Sequence, residues 1–98
     1  MGKTIKWGIL GLGKIAHKFA SDLAKVPHTE LYAVASRNAI KSQNFKKKYR
    51  AVKSYDSYED LVKDKEVDAI YIATPHTFHK KHSILCLQHK KAVLSEKS

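Results

Sequence analysis

Gly11-Leu12-Gly13-Lys14-Ile15-Ala16 sets small residues at its first, third and sixth positions, between an apolar run and a stretch of helical periodicity. In that setting each small residue has its own task. Gly11 allows a tight strand-to-helix turn, Gly13 removes the side chain that would block an approaching pyrophosphate, and Ala16 lets the helix lie close to the strand. The amides opening the helix, at Lys14 and Ile15, then face the phosphates, and the helix dipole adds attraction for negative charge. The chemistry this spacing offers is dinucleotide binding; glycines that serve only the turn are the alternative.

The second place to look is the end of the next strand, roughly 20 residues on, where sites that prefer NAD usually carry Asp or Glu to accept hydrogen bonds from the ribose hydroxyls. Here the chain reads Ala35-Ser36-Arg37-Asn38. A neutral Ser36 withholds the charge that would repel a 2′-phosphate, and Arg37 offers a planar guanidinium that pairs with phosphate and stacks on adenine. This favours NADP(H), with NAD(H) as the alternative and a surface arginine at a helix start as the bland one.

These residues need a scaffold, and periodicity supplies one. Ile5, Trp7, Ile9 and Leu10 read as a short strand. Ile15, Phe19, Leu23 and Val26 recur at helical spacing, and Pro27 ends that helix. Leu31 to Ala35 is nearly all apolar, as expected of a central parallel strand covered on both faces. Asn38 is a candidate N-cap for a helix over Ala39 to Tyr49 that turns Ile40, Phe45 and Tyr49 toward the sheet. Ala51 to Tyr55 is weakly strand-like, and Asp56-Ser57-Tyr58-Glu59 fits a capping box with Asp56 as the cap. Val67 to Ala73 is the strongest strand, closed by Thr74-Pro75. His76 to Lys90 reads as a helix, with Phe78, His82, Leu85 and His89 on one face and Ile84 and Leu87 beside it. Ala92 to Ser95 is a last strand. Alternation of this kind implies an α/β fold with a doubly wound parallel sheet of Rossmann type. The strand order expected is 3-2-1-4-5, with the ligand crevice where strands one and four diverge.

Composition bounds the rest. At 98 residues and 43% apolar the chain is one globular domain with a thin stability margin. It opens with nothing like a signal peptide, no apolar stretch approaches the roughly 20 residues that span a bilayer, and it reads as cytoplasmic. Lys6 stands where a myristoylation signal wants Ser or Thr. One cysteine, Cys86, excludes an internal disulfide and a Cys-based zinc site, and its apolar neighbours make it a buried thiol. The net charge of +10 is concentrated in Arg37, Lys41, Lys46, Lys47, Lys48, Arg50 and Lys53, with no carboxylate among them. Nucleic acid is the partner such a run suggests. However, Phe45, Tyr49 and Tyr55 fit core positions better than stacking platforms, and a solvated helix face explains the lysines.

Gly8 to Ala16, Ala35-Ser36-Arg37, Tyr71-Ile72-Ala73-Thr74-Pro75 and Leu94-Ser95-Glu96-Lys97 together resemble the Gfo/Idh/MocA family. That group includes glucose-fructose oxidoreductases, inositol dehydrogenases and dihydrodiol dehydrogenases. The resemblance implies an N-terminal Rossmann domain followed by a larger α/β substrate domain, and oxidation or reduction of sugars, cyclitols and related alcohols with NAD(P). Carried over by position, Thr74 and Pro75 would line the nicotinamide side of the crevice, Glu96 and Lys97 would sit beside the ring, and Lys97 would be the catalytic-region lysine. His79 matches a family histidine and would shape the site. Two positions depart from the pattern: Ser98 stands where the motif continues with Pro, and His76 where the family often has Asn. His76 invites an acid–base reading, against which stand three histidines spaced by three at a helix start, where solvated or capping rings are commoner. A metal site there lacks an obvious carboxylate partner.

The resemblance thus implies that residues 1–98 are the NAD(P)-binding domain alone, with the C-terminal substrate domain absent and the isolated chain inactive. A stand-alone module that binds or senses NAD(P)H is the other reading. In both, the uncovered face is a candidate for self-association.

Overall fold

A computed structural model describes residues 3–95. Five strands form one parallel sheet in the order β3-β2-β1-β4-β5. These are β1 (Ile5–Leu10), β2 (Thr29–Ala35), β3 (Lys53–Tyr55), β4 (Ala69–Ile72) and β5 (Ala92–Ser95). Between them lie α1 (Lys14–Leu23), α2 (Ala39–Tyr49), α3 (Tyr58–Val62), and a 3-10 turn (His76–Phe78) that leads into α4 (His79–Gln88). The expected α/β architecture and strand order are both present.

Period-two alternation of the central strands divides the core between the two faces of the sheet. Ile9, Val34 and Tyr71 point to one face, where they meet Ala16 and Ala20 of α1 and Phe45 of α2. Leu10, Ala35, Ile70 and Ile72 point to the other, where they meet Leu61 and Val62 of α3 and Cys86 of α4. On the first face Phe19 stacks flat on Tyr71 with ring centroids 4.0 Å apart, and Trp7 meets Phe19 edge-on at 5.3 Å. Cys86 is fully buried, and burial pushes its thiol up to about 11 against the opposing influence of Lys91. Lys91 is itself buried and donates to the carbonyls of Asp64 and Val67 at 2.5 and 2.7 Å, tying the turn before β5 to the segment before β4.

Several side chains face otherwise than their periodicity suggests. α1 ends at Leu23 rather than Val26; Thr29 donates its hydroxyl to the carbonyls of Leu23 and Val26, which closes the segment as a turn and leaves Val26 exposed. Ile15 is exposed because α1 turns its small residues, Ala16 and Ala20, to the sheet. Ile40 is also exposed: the inward positions of α2 are Ser42 and Phe45, and Ser42 is satisfied there by the hydroxyl of Ser36 at 2.8 Å. The cap of α3 is Ser57, not Asp56. Ser57 is extended and its Oγ accepts from the Asp60 amide at 3.2 Å, which moves the helix start one residue along and makes Tyr58 its first residue. Asn38 caps α2 as expected, accepting from the Lys41 amide at 3.0 Å. On α4, His82 and Cys86 face inward while Ile84 and Leu87 remain exposed.

Candidate functional site

The carboxyl ends of β1, β2 and β4 open onto a cleft of about 790 Å³, inside the usual range for small-molecule sites. It lies at the switch point between β1 and β4, from which the strand order runs outward in opposite directions (β1 to β3 one way, β4 to β5 the other), the place at which open α/β sheets bind ligands. Among its lining residues are Gly11, Gly13, Lys14, Ile15, Ser36, Arg37, Thr74, Pro75 and His79. These nine of the predicted site residues therefore converge. Ala16 lies behind them, fully buried against the sheet, which is the close helix packing its size was expected to allow. Glu96 and Lys97 lie outside the described residues.

The two glycines differ in kind. Gly11 has φ +94°, and a Cβ built on it would stand 2.7 Å from Thr74 Cγ2 and 3.1 Å from the Thr74 amide. The turn after β1 thus packs directly on the end of β4, and only glycine meets both the backbone and the space requirement. Gly13 has an ordinary φ of −89°, and a Cβ there would meet nothing within 4 Å. The protein itself asks for no glycine at that position; the open space belongs to whatever enters the cleft. Behind it, no side chain caps α1, and the first helical hydrogen bond runs from the His17 amide to the Gly13 carbonyl at 3.2 Å. The amides of Lys14, Ile15 and Ala16 therefore have no acceptor within the helix, an arrangement suited to phosphate oxygens. The residues present fit a dinucleotide.

At the end of β2, Ser36 is buried, and its hydroxyl is used up locally. It donates to the Asn38 carbonyl at 2.8 Å, accepts from the Asn38 amide at 3.1 Å and shares a hydrogen bond with Ser42. Ser36 therefore shapes the turn and presents no charge to the cleft. Arg37 is exposed, with its guanidinium carbon 5.8 Å from the centre of the Tyr58 ring. Lys41 joins it on the same wall, in the first turn of α2.

At the end of β4 the two histidines of α4 hold one threonine. His79 Nε2 lies 2.7 Å from the Thr74 carbonyl, and His82 Nδ1 lies 2.8 Å from Thr74 Oγ1. Burial lowers the pKa of His82, with the charges of Lys81 and Arg37 acting in the same direction. Its environment thus favours the uncharged ring, which is an internal hydrogen-bonding group rather than a solvated one. His76 also reaches the cleft, its ring 5.4 Å from that of His79. Tyr58 and His82 carry no sequence signal for a part here. Tyr58 was hidden in a capping pattern, and nothing local announces that a histidine will find its partner eight residues back across a turn.

The family model for the oxidoreductase family with an NAD-binding Rossmann fold, Gfo/Idh/MocA, matches residues 5–97. The chain belongs to that family. It is 43% identical over 96 residues to the trans-1,2-dihydrobenzene-1,2-diol dehydrogenase of Mus musculus and 41% identical to that of Homo sapiens. In each case 96% of this chain is covered but 29% of the relative, so the chain spans under a third of the curated relatives it matches. Among solved structures it is similar to the scyllo-inositol dehydrogenase of Lactobacillus casei with bound NAD(H) and scyllo-inositol. That match has a TM-score of 0.88 and 33% identity, over 97% of this chain and 28% of the other. A 3-ketoreductase from Actinomadura kijaniata in complex with NADP and TDP-benzene matches with a TM-score of 0.92 and 29% identity, over 97% of this chain and 29% of the other. The site is thus that of a nicotinamide dinucleotide, and the two solved relatives carry different forms of it. Among the described residues no helix is long and apolar enough to cross a membrane.

Proposed function

We propose that this chain is the cofactor-binding domain of a dehydrogenase that prefers NADP(H) and acts on vicinal diols, cyclitols or related sugars. The observation that carries the binding role is the open volume at Gly13, set against helix-opening amides that have no acceptor within α1. The preference rests on the end of β2: among the described residues no carboxylate lines the cleft there, the Ser36 hydroxyl is consumed by its own turn, and Arg37 and Lys41 supply the positive charge. The substrate class rests on the dihydrodiol and inositol dehydrogenases it resembles.

The bound dinucleotide supplies the hydride acceptor or donor. The residues of this chain seat the pyrophosphate on the α1 amides, leave room for it at Gly13, pair the 2′-phosphate with Arg37, and wall the nicotinamide side with Thr74, Pro75 and His79. For Glu96 and Lys97, which lie outside the described residues, the reading rests on the family resemblance alone: Lys97 would supply the cation for a substrate oxygen that gains negative character as the hydride leaves. A second domain, occupying the length that the relatives have beyond this region, holds the substrate and the proton acceptor. Leu94 on the edge strand β5 is exposed, which favours self-association of the isolated domain.

Calorimetric titration with NADPH and NADH tests this reading. The chain should bind NADPH about tenfold or more tightly than NADH, and Arg37→Ala should remove most of that difference. Equal affinities, or an NADH preference, would overturn it. Alcohol oxidation by the isolated 98 residues should stay well below about one turnover per second, since orientation of the substrate alone accounts for roughly 7–11 kcal/mol of barrier in such sites.

A further inference from the structure

Arg37 makes no ion pair within 4.0 Å among the described residues, although Asp56 and Glu59 line a neighbouring recess with it. Its guanidinium lies instead over the face of Tyr58. The distinction matters chemically. A carboxylate partner would neutralise the arginine and occupy two of its N–H donors. An aromatic face holds the cation through the ring quadrupole and leaves those in-plane donors unspent.

Tyr58 is in turn held from behind. Its ring meets His82 edge-on, with centroids 5.0 Å apart and planes at 73°, and His82 is further packed by Phe78 at 5.8 Å. His82 is fixed through Nδ1 to Thr74 Oγ1 at 2.8 Å, and Thr74 is the residue on which the Gly11 turn rests. A continuous set of contacts therefore runs from the end of β4, through α4 and the first residue of α3, to the end of β2. Ser57, by capping α3, fixes where Tyr58 starts the helix.

We infer that Tyr58 is a specificity-determining positioning residue: it holds the Arg37 guanidinium at the lip of the cleft with its donors free, so that discrimination for a 2′-phosphate depends on the Tyr58 ring as well as on Arg37. This inference rests on the NADP(H) reading above and assigns part of the choice to a second side chain of the cleft lining, acting through Arg37. His82 and Thr74 support the ring and act only through it.

The test is a double-mutant cycle on the full chain, reading the ratio of NADPH to NADH affinity by calorimetry, with circular dichroism alongside. Tyr58→Leu should reduce the ratio about two- to fivefold, the range expected for an exposed cation–π contact. Tyr58→Phe, which keeps the ring, should retain it. In the Arg37→Ala background Tyr58→Leu should change nothing further. Tyr58→Met, closer in volume but without a π face, should behave as Tyr58→Leu and serves if the latter folds poorly. If the folded Leu or Met variant keeps the full ratio while Arg37→Ala collapses it, Tyr58 has no such role and the NADP(H) reading stands. If Tyr58→Leu weakens NADPH and NADH equally, the ring serves a part common to both cofactors and the inference falls. If Arg37→Ala leaves the ratio unchanged, the NADP(H) reading fails and takes the inference with it.

Discussion

Two walls of the same cleft are built by different means. The turn after β1 is a backbone wall: its positive φ at Gly11, its open position at Gly13 and its amides without an acceptor inside α1 are all main-chain properties. The wall formed by α3 and α4 is made of side chains. Tyr58, His82 and Thr74 stand in line, each placed by its neighbour rather than by the local backbone. The difference explains what a sequence can disclose. A backbone wall demands particular residue types at fixed spacing, whereas a side-chain wall can be assembled from whichever groups the packing brings together.

The contrast breaks most severely at Gly11. Gly11→Val should prevent stable folding, because positive φ alone costs a non-glycine residue about 1–3 kcal/mol and the new side chain would also drive into the backbone of Ala73 and Thr74. Urea titration followed by circular dichroism should show the midpoint lost or strongly reduced. Gly13→Val is the counterpart. It should leave the urea midpoint close to that of the parent and weaken both NADPH and NADH about a hundredfold or more, some 2.7 kcal/mol. A folded Gly13→Val variant with unchanged affinity would separate the glycine turn from the site.

The side-chain wall should respond to acid through His82, and α1 through His17. The pKa of His82 is lowered chiefly by burial, and that of His17 likewise, with Lys48 and Lys41 adding to the effect. A depressed folded-state pKa means that the unfolded chain binds the proton more readily. Each imidazole therefore contributes stability that is present above its ordinary value of 6.5 and is lost as pH falls through the lower folded value. The urea midpoint should drop between pH 7.5 and 5, and His82→Gln should make that drop shallower; a slope unchanged by the substitution would remove His82 from the account. The smallest effect is expected at the cap of α3. Ser57→Ala should cost about 1 kcal/mol, read from the same titration, whereas Asp56→Ala should cost little.

That last pair returns to what could be read beforehand. The strand order, the site at the end of β1 and the Asn38 cap follow from signals that local geometry enforces, namely apolar runs, glycines at fixed spacing and a short polar residue before a helix. The helix faces were harder. Periodicity counts apolar residues, so it turned Ile15 and Ile40 inward, but α1 approaches the sheet through alanines and α2 through Ser42, a polar residue made tolerable by Ser36. Periodicity does put His82 on one face of its helix, but does not disclose its part in the site. Its burial depends on a hydroxyl that only the folded turn at Thr74-Pro75 brings within reach. In each instance the deciding interaction is a hydrogen bond or close approach between side chains, which leaves no periodic trace.

Cys86 has a consequence for experiment. It is the sole cysteine in the sequence, it lies on the inward face of α4 with no exposed surface, and burial raises its thiol to about 11. Disulfide-exchange and alkylating reagents attack thiolate, so the native state should be inert to them and reaction should wait for an opening that exposes the sulfur. The molecule thus carries its own clock for structural opening. Labelling rates measured in native buffer, with and without NADPH, would report how far the cofactor suppresses excursions of the α4 layer, with no probe added to the chain.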